Sequence, residues 1–176
     1  LFVDGARLAA ALTSDANDLT LPEFARLVDA FYLGGTKNGT LFGEALVITR
    51  PELTHDFFRM KKRMGAVMEK GWLQGVQFEA ILKDNLYFDM ARHANVLAGR
   101  LQEGVKALGL PLMTESCTNQ IFPIVKNELR PRLEQVCAFE DWCPFDAEHT
   151  VIRFVTCFHT TQEDVDALLS ELKKLL

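Results

Sequence analysis

The chain has 176 residues, enough for one sizeable core or two small lobes. Hydrophobic residues make up 48% and charged residues 24%, the balance of a globular protein rather than a disordered one. A formal net charge of -5 without any basic run gives no footprint for nucleic acid or an anionic membrane. No apolar run approaches the roughly 18–20 residues of a membrane span.

In chain order, "LFVDG" reads as a short buried strand over residues 1–3 that ends in a turn, and Ala6 to Leu12 as a small helical or turn segment. A buried strand is an unusual start for a natural chain, and neither an initiator Met nor a signal peptide precedes it. The sequence is therefore expected to be the C-terminal part of a longer one. Thr20 with Glu23 three residues later forms a capping box, and Pro22 falls in the first turn, where its missing N–H costs nothing. A short helix is expected through Ala25, Leu27 and Val28. "AFYLGG" enters a glycine loop as a strand, and "EALVIT" (44–49) is a second, wholly apolar one. Short apolar strands alternating with helices predict an α/β layer with a buried, largely parallel sheet.

From Pro51 to about Leu82 the pattern is helical but broken by Gly65, Gly71 and Gly75, each costing about 1 kcal/mol against alanine inside a helix. A long amphipathic helix is expected over about 87–108, with Met90, Ala94, Leu97, Leu101, Val105 and Leu108 at steps of three and four. "LPLMTES" and "NQIFPIV" read as a β-hairpin, "QVCAF" and "TVIRFVTCF" as two further strands. A helix from Thr161 places Val165, Leu168, Leu169, Leu172 and Leu176 on one face. Two domains are expected, 1–90 and a smaller α+β domain over 91–176, joined by the long helix. Cys117, Cys137, Cys143 and Cys157 have no CxxC spacing, which suits reduced thiols in a cytoplasmic protein and gives no zinc site.

Chemistry is suggested first by "YLGGTKNGTLFGEAL" (32–46), which sets Lys37 among glycines. Gly34 to Gly39 fit G-x-x-x-x-G, but Thr40 stands where a phosphate loop needs its lysine, so an NTPase is excluded. A lysine at a strand end, with flanking glycines leaving a gap, suits a Schiff-base nucleophile; the alternative is a surface lysine in a turn. Asp4 ends an apolar strand, where open α/β sheets bind ligands, and an aspartate is the standard partner of a pyridinium nitrogen. Arg7, three residues on, offers a planar fork for a carboxylate or phosphate. An Asp–Arg pair holding a turn is the plainer reading of these two.

"VDGARL", "GGTKNG", "KKRMGAVMEKG" and "VIRFVTCFHTTQEDVDAL", in that order, resemble the threonine aldolase and β-eliminating-lyase group of fold type I pyridoxal phosphate (PLP) enzymes. The resemblance runs along nearly all of the chain, as the C-terminal part of such an enzyme. It implies the C-terminal portion of the PLP-binding large domain, a mainly parallel sheet with helices, followed by the small α+β C-terminal domain. It further implies that Asp4 binds the pyridinium nitrogen and that Lys37 carries the cofactor as a Schiff base. Arg7 is implied to lie near cofactor and substrate carboxylate, and Arg153 to hold the α-carboxylate. Two departures stand out. The loop "TKNGTLFGE" differs from the family's usual one, and Glu69 stands where a basic residue is expected, with Lys70 beside it as the residue to reach the phosphate. The activity implied is cleavage of the Cα–Cβ bond of a threonine-like β-hydroxy-α-amino acid, in a homodimer or homotetramer. β-Elimination or transamination on another amino acid, and a non-catalytic scaffold, are the alternatives.

Overall fold

The computed structural model describes residues 1–176, which divide into two compact units. The first comprises Leu1–Thr13 and Asn17–Met90, the second Ser14–Ala16 and Ala91–Leu176.

In the first unit, strand β1 (Phe2–Val3) pairs in parallel with β2 (Ala30–Gly34), and helices α1 (Leu8–Leu12) and α2 (Leu21–Leu27) lie between them in sequence. The capping box of α2 forms: the Thr20 hydroxyl accepts the Glu23 N–H at 3.4 Å, and the Glu23 carboxylate accepts the Thr20 N–H at 2.8 Å. The helix ends at Leu27, and Val28, expected to be helical, is already extended. Strand β3 (Glu44–Ile48) pairs with β2 antiparallel, so the largely parallel sheet expected from the sequence is only half right. The reason lies in the connection: residues 35–43 are too few for a parallel crossover, which takes about a dozen or more. Nor is β3 buried throughout, since it alternates exposed and half-buried positions.

Helices α3 (Phe57–Arg63) and α4 (Trp72–Leu82) fill the glycine-broken stretch. Gly65 takes φ +71° just after α3 and Gly71 caps α4, but Gly75 sits inside α4. Of these two helices only Ile81 is buried; Phe58, Met60, Trp72, Leu73 and Val76 are exposed. Helix α5 (Leu86–Ala107) starts in the first unit and continues in the second.

The second unit is built around strand β7 (His149–Val155). Strands β4 (Gln120–Ile121), β5 (Ile124–Lys126) and β6 (Glu140–Pro144) each pair antiparallel with β7 and not with one another. Leu97, Leu101 and Val105 of α5 meet Ile121, Val125, Ile152 and Phe154 of the sheet and Val165 and Leu172 of α7 (Gln162–Leu175) in one core. Burying each such side chain contributes about 1.5–3 kcal/mol. Gly104 lets α5 and α7 touch, because a Cβ there would stand 2.3 Å from Leu169 Cδ1. Two strand expectations fail. The "LPLMTES"–"NQIFPIV" hairpin reduces to a single bridge between Leu112 and Pro123, and Pro123, which has no N–H to give, separates β4 from β5. "QVCAF" is not a strand: the Val136 and Cys137 N–H groups bond back to Leu133 O, continuing the turn of the short helix α6 (Arg130–Leu133).

Candidate active site

Parallel pairing of β1 and β2 puts the residues that follow each strand at one carboxyl edge of the sheet, the edge where open α/β sheets take ligands. Asp4 follows β1 there, and the loop with Lys37 follows β2. The two turns are joined backbone to backbone. Gly34 N–H donates to Gly5 O at 3.1 Å. A Cβ on Gly5 would lie 1.8 Å from Tyr32 O, and one on Gly34 would lie 2.4 Å from Ala6 O. At Gly35 a Cβ would meet Gly43 O at 2.5 Å. These glycines therefore let two turns close on each other; the room around Lys37 comes instead from its exposure.

Asp4 is exposed, and its Oδ1 accepts the Ala6 N–H at 3.1 Å, which orients the carboxylate and leaves Oδ2 open. Arg7, half-buried, caps the start of α1. Lys37 lies in a single 3-10 turn, Thr36–Asn38, with its ammonium exposed and in no ion pair. The loop around it is tied down. Gly35 N–H donates to Glu44 Oε2 at 2.7 Å, and the N–H groups of Asn38 and Thr40 donate to Gly35 O at 2.8 and 3.1 Å. Gly39 closes the turn at φ +108°, a conformation that favours glycine.

Two further residues hold this loop, and neither was singled out from sequence. The Tyr87 hydroxyl donates to Gly34 O at 2.9 Å, and Tyr87 O accepts from Asn38 Nδ2 at 2.7 Å. Tyr87 is fully buried; burial, with the charge of Glu44 adding to it, pushes its phenol far above the ordinary tyrosine range. Its only sequence signal was an aromatic residue at the start of an amphipathic helix.

Lys70 lies apart from this pattern in the turn before α4. It is exposed, at φ 58°, and paired with Glu69 at 2.9 Å. Arg153, in the second unit, points from β7 with a side chain only 14% exposed. It pairs with Glu140, which faces it in register on β6, donates from Nη1 to Gln120 Oε1 at 2.9 Å, and stacks 5.1 Å from the Trp142 ring. Its Nε is buried without a hydrogen-bond partner.

No family model matches the chain. Among solved structures, serine palmitoyltransferase of Sphingomonas wittichii superposes with a TM-score of 0.61 at 19% identity, over 84% of this chain and 39% of that one. At that identity the likeness shows the fold alone, and the fold is that of the fold type I PLP enzymes. A threonine aldolase of Leishmania major superposes with a TM-score of 0.90 at 41% identity, over 99% of this chain and 51% of that one. Low-specificity L-threonine aldolases of Pseudomonas aeruginosa and of a Pseudomonas species are each 31% identical, over 69% of this chain and 36% of the relative. In sequence and in fold the chain is thus similar to a C-terminal part of threonine aldolases. It spans about half the length of the Leishmania structure and 36% of each curated relative.

Proposed function

We propose that this chain belongs to a PLP-dependent lyase that cleaves the Cα–Cβ bond of a threonine-like β-hydroxy-α-amino acid, giving glycine and an aldehyde. The observation that carries the reading is the placing of Asp4 and Lys37 at one carboxyl edge of adjoining parallel strands. The residues present fit the cofactor. Asp4 offers an oriented, unneutralised carboxylate to a ring N–H, and Lys37 offers an amine with no partner to give up. Bound there, PLP supplies the sink for the electron pair released when the Cα–Cβ bond breaks.

In this reading Lys37 holds the cofactor and exchanges it for the substrate amine, while Asp4 keeps the ring nitrogen protonated. Arg7 is the residue for cofactor and substrate carboxylate in the first unit, Arg153 the residue for a carboxylate in the second, and Lys70 reaches the phosphate by releasing Glu69. The first unit is the C-terminal portion of the PLP-binding domain and the second is the small domain. The relatives' names supply the reaction type, each being called a threonine aldolase. The assembly proposed is a homodimer or homotetramer in the cytoplasm, where the four free thiols stay reduced. No helix is long and apolar enough to cross a membrane.

The test is borohydride reduction of the full chain loaded with PLP, followed by peptide mapping and an assay of aldehyde release from threonine and allo-threonine. A pyridoxyl phosphate adduct is expected on Lys37, and Lys37→Ala is expected to lose it along with at least about a thousandfold in activity. No adduct on Lys37 would sink the reading. An adduct with ammonia or amino-group transfer in place of aldehyde would move the reaction to β-elimination or transamination.

A further inference from the structure

Lys37 has no side-chain partner of its own, so the place of its amine is set by the backbone on either side of it. Both flanks are held by one residue 50 positions on in sequence. Tyr87 gives its hydroxyl proton to Gly34 O and takes the Asn38 amide proton on its own carbonyl, and Asn38 directly follows Lys37. Both bonds are buried, at 2.9 and 2.7 Å, and a buried partner left without its bond is costly. The phenol, raised by burial, remains a donor at every working pH.

We propose that Tyr87 and Asn38 are positioning residues for Lys37: a two-point clamp that fixes the loop so that the amine is presented in one place to the cofactor's carbonyl. The inference rests on the reading of Lys37 given above and deepens it. The ring of Tyr87 is fully buried, and its hydroxyl reaches a single carbonyl at the loop's entry. The Asn38 side chain likewise turns inward while its neighbour Lys37 faces solvent. Holding a reactive group in place ahead of reaction is worth far more to its chemistry than to overall stability.

The experiment compares the full chain with Tyr87→Phe, Asn38→Ala and the control Asn119→Ala, which loses a comparable buried bond to Thr156 O in the second unit. Two readouts are taken: hydrogen exchange at the Asn38 and Thr40 amides, and the amount of pyridoxyl phosphate trapped on Lys37 at limiting cofactor. Tyr87→Phe and Asn38→Ala are expected to speed exchange at both amides and to weaken cofactor retention, each by about tenfold, the scale of one lost buried hydrogen bond. Asn119→Ala is expected to change neither. Either clamp variant carries the test alone should the other fail to fold. Faster exchange with unchanged trapping would reduce the clamp to a structural tie and overturn the proposal while leaving the role of Lys37 intact. Unchanged exchange would overturn it too. A wild-type chain that traps nothing on Lys37 would overturn the proposal together with the reading beneath it.

Discussion

Lys37 in the first unit stands in solvent with no partner, whereas Arg153 in the second is held on three sides, by Glu140, Gln120 and the Trp142 ring. The same contrast runs through the apolar residues. In the first unit Leu41 is 86% exposed, Met64 81% and Trp72 64%, while the second gathers twelve buried residues into one core. One unit thus leaves Lys37 open and helices α3 and α4 thinly anchored. The other satisfies itself, charge against charge and helix against sheet. The lesson is that the Arg153 guanidinium already has a carboxylate in place, whereas no side chain holds the Lys37 ammonium.

The largest test of the comparison is on stability. Leu133→Ala, at a fully buried position of the second unit, is expected to cost about 2–5 kcal/mol in urea unfolding, and Trp72→Ala no more than about 0.5 kcal/mol. Equal costs would break the comparison, because they would make the exposed face of α4 as structural as the core. Next in size is Glu140→Gln, which removes the carboxylate paired with Arg153, the residue proposed above to take the substrate carboxylate. It is expected to lower KM for the amino-acid substrate about three- to tenfold with kcat little changed, a change in uniform binding. A raised KM would show that Glu140 orients Arg153 instead of competing for it.

The smallest effect expected is on pH dependence. Hydrogen bonding to Arg100 holds the Asp166 carboxyl below its ordinary range, at 2.6 Å from Nη2, and hydrogen bonds within the capping box do the same for Asp164. The hydrogen bond from His149 lowers Asp146 as well. A carboxylate depressed in the folded state adds stability above its ordinary pKa and loses it as pH falls through the folded value. The second unit should therefore weaken on the acid side, and Asp166→Asn should flatten that part of a Tm-against-pH curve while leaving neutral pH almost unchanged. All these groups are exposed, so added salt should shrink the difference.

Much of this was legible in residue order. The capping box at Thr20 and Glu23, the strand entering the glycine loop and the long helix that follows are local features, and local chemistry writes them. Strand direction was not, because an apolar run such as "EALVI" carries no sign of which way its partner runs; loop length decided it. β6 was hidden for another reason. "EDWCP" is a polar edge strand, mostly exposed, with the ladder shifting register between Asp141 and Cys143, so it lacks the apolar alternation that marks a strand. Asp4 and Lys37 could be singled out because strand ends and a lysine among glycines are visible patterns. Tyr87 could not, since its bearing on Lys37 runs through contacts across 49 and 53 positions. The glycines of "GGTKNG" were visible but misread: two of them serve close backbone packing, which a sequence does not display.

That β4, β5 and β6 all pair with β7, and none with another, has a consequence for how the protein is made. As the chain leaves the ribosome, β2 can pair with β3 as soon as β3 is out. The second unit's three waiting strands have nothing to pair with until residues 149–155 emerge. Through that interval Ile121, Ile124 and Val125 lack the strand they pack beside, and their exposure ends with the arrival of β7 alone.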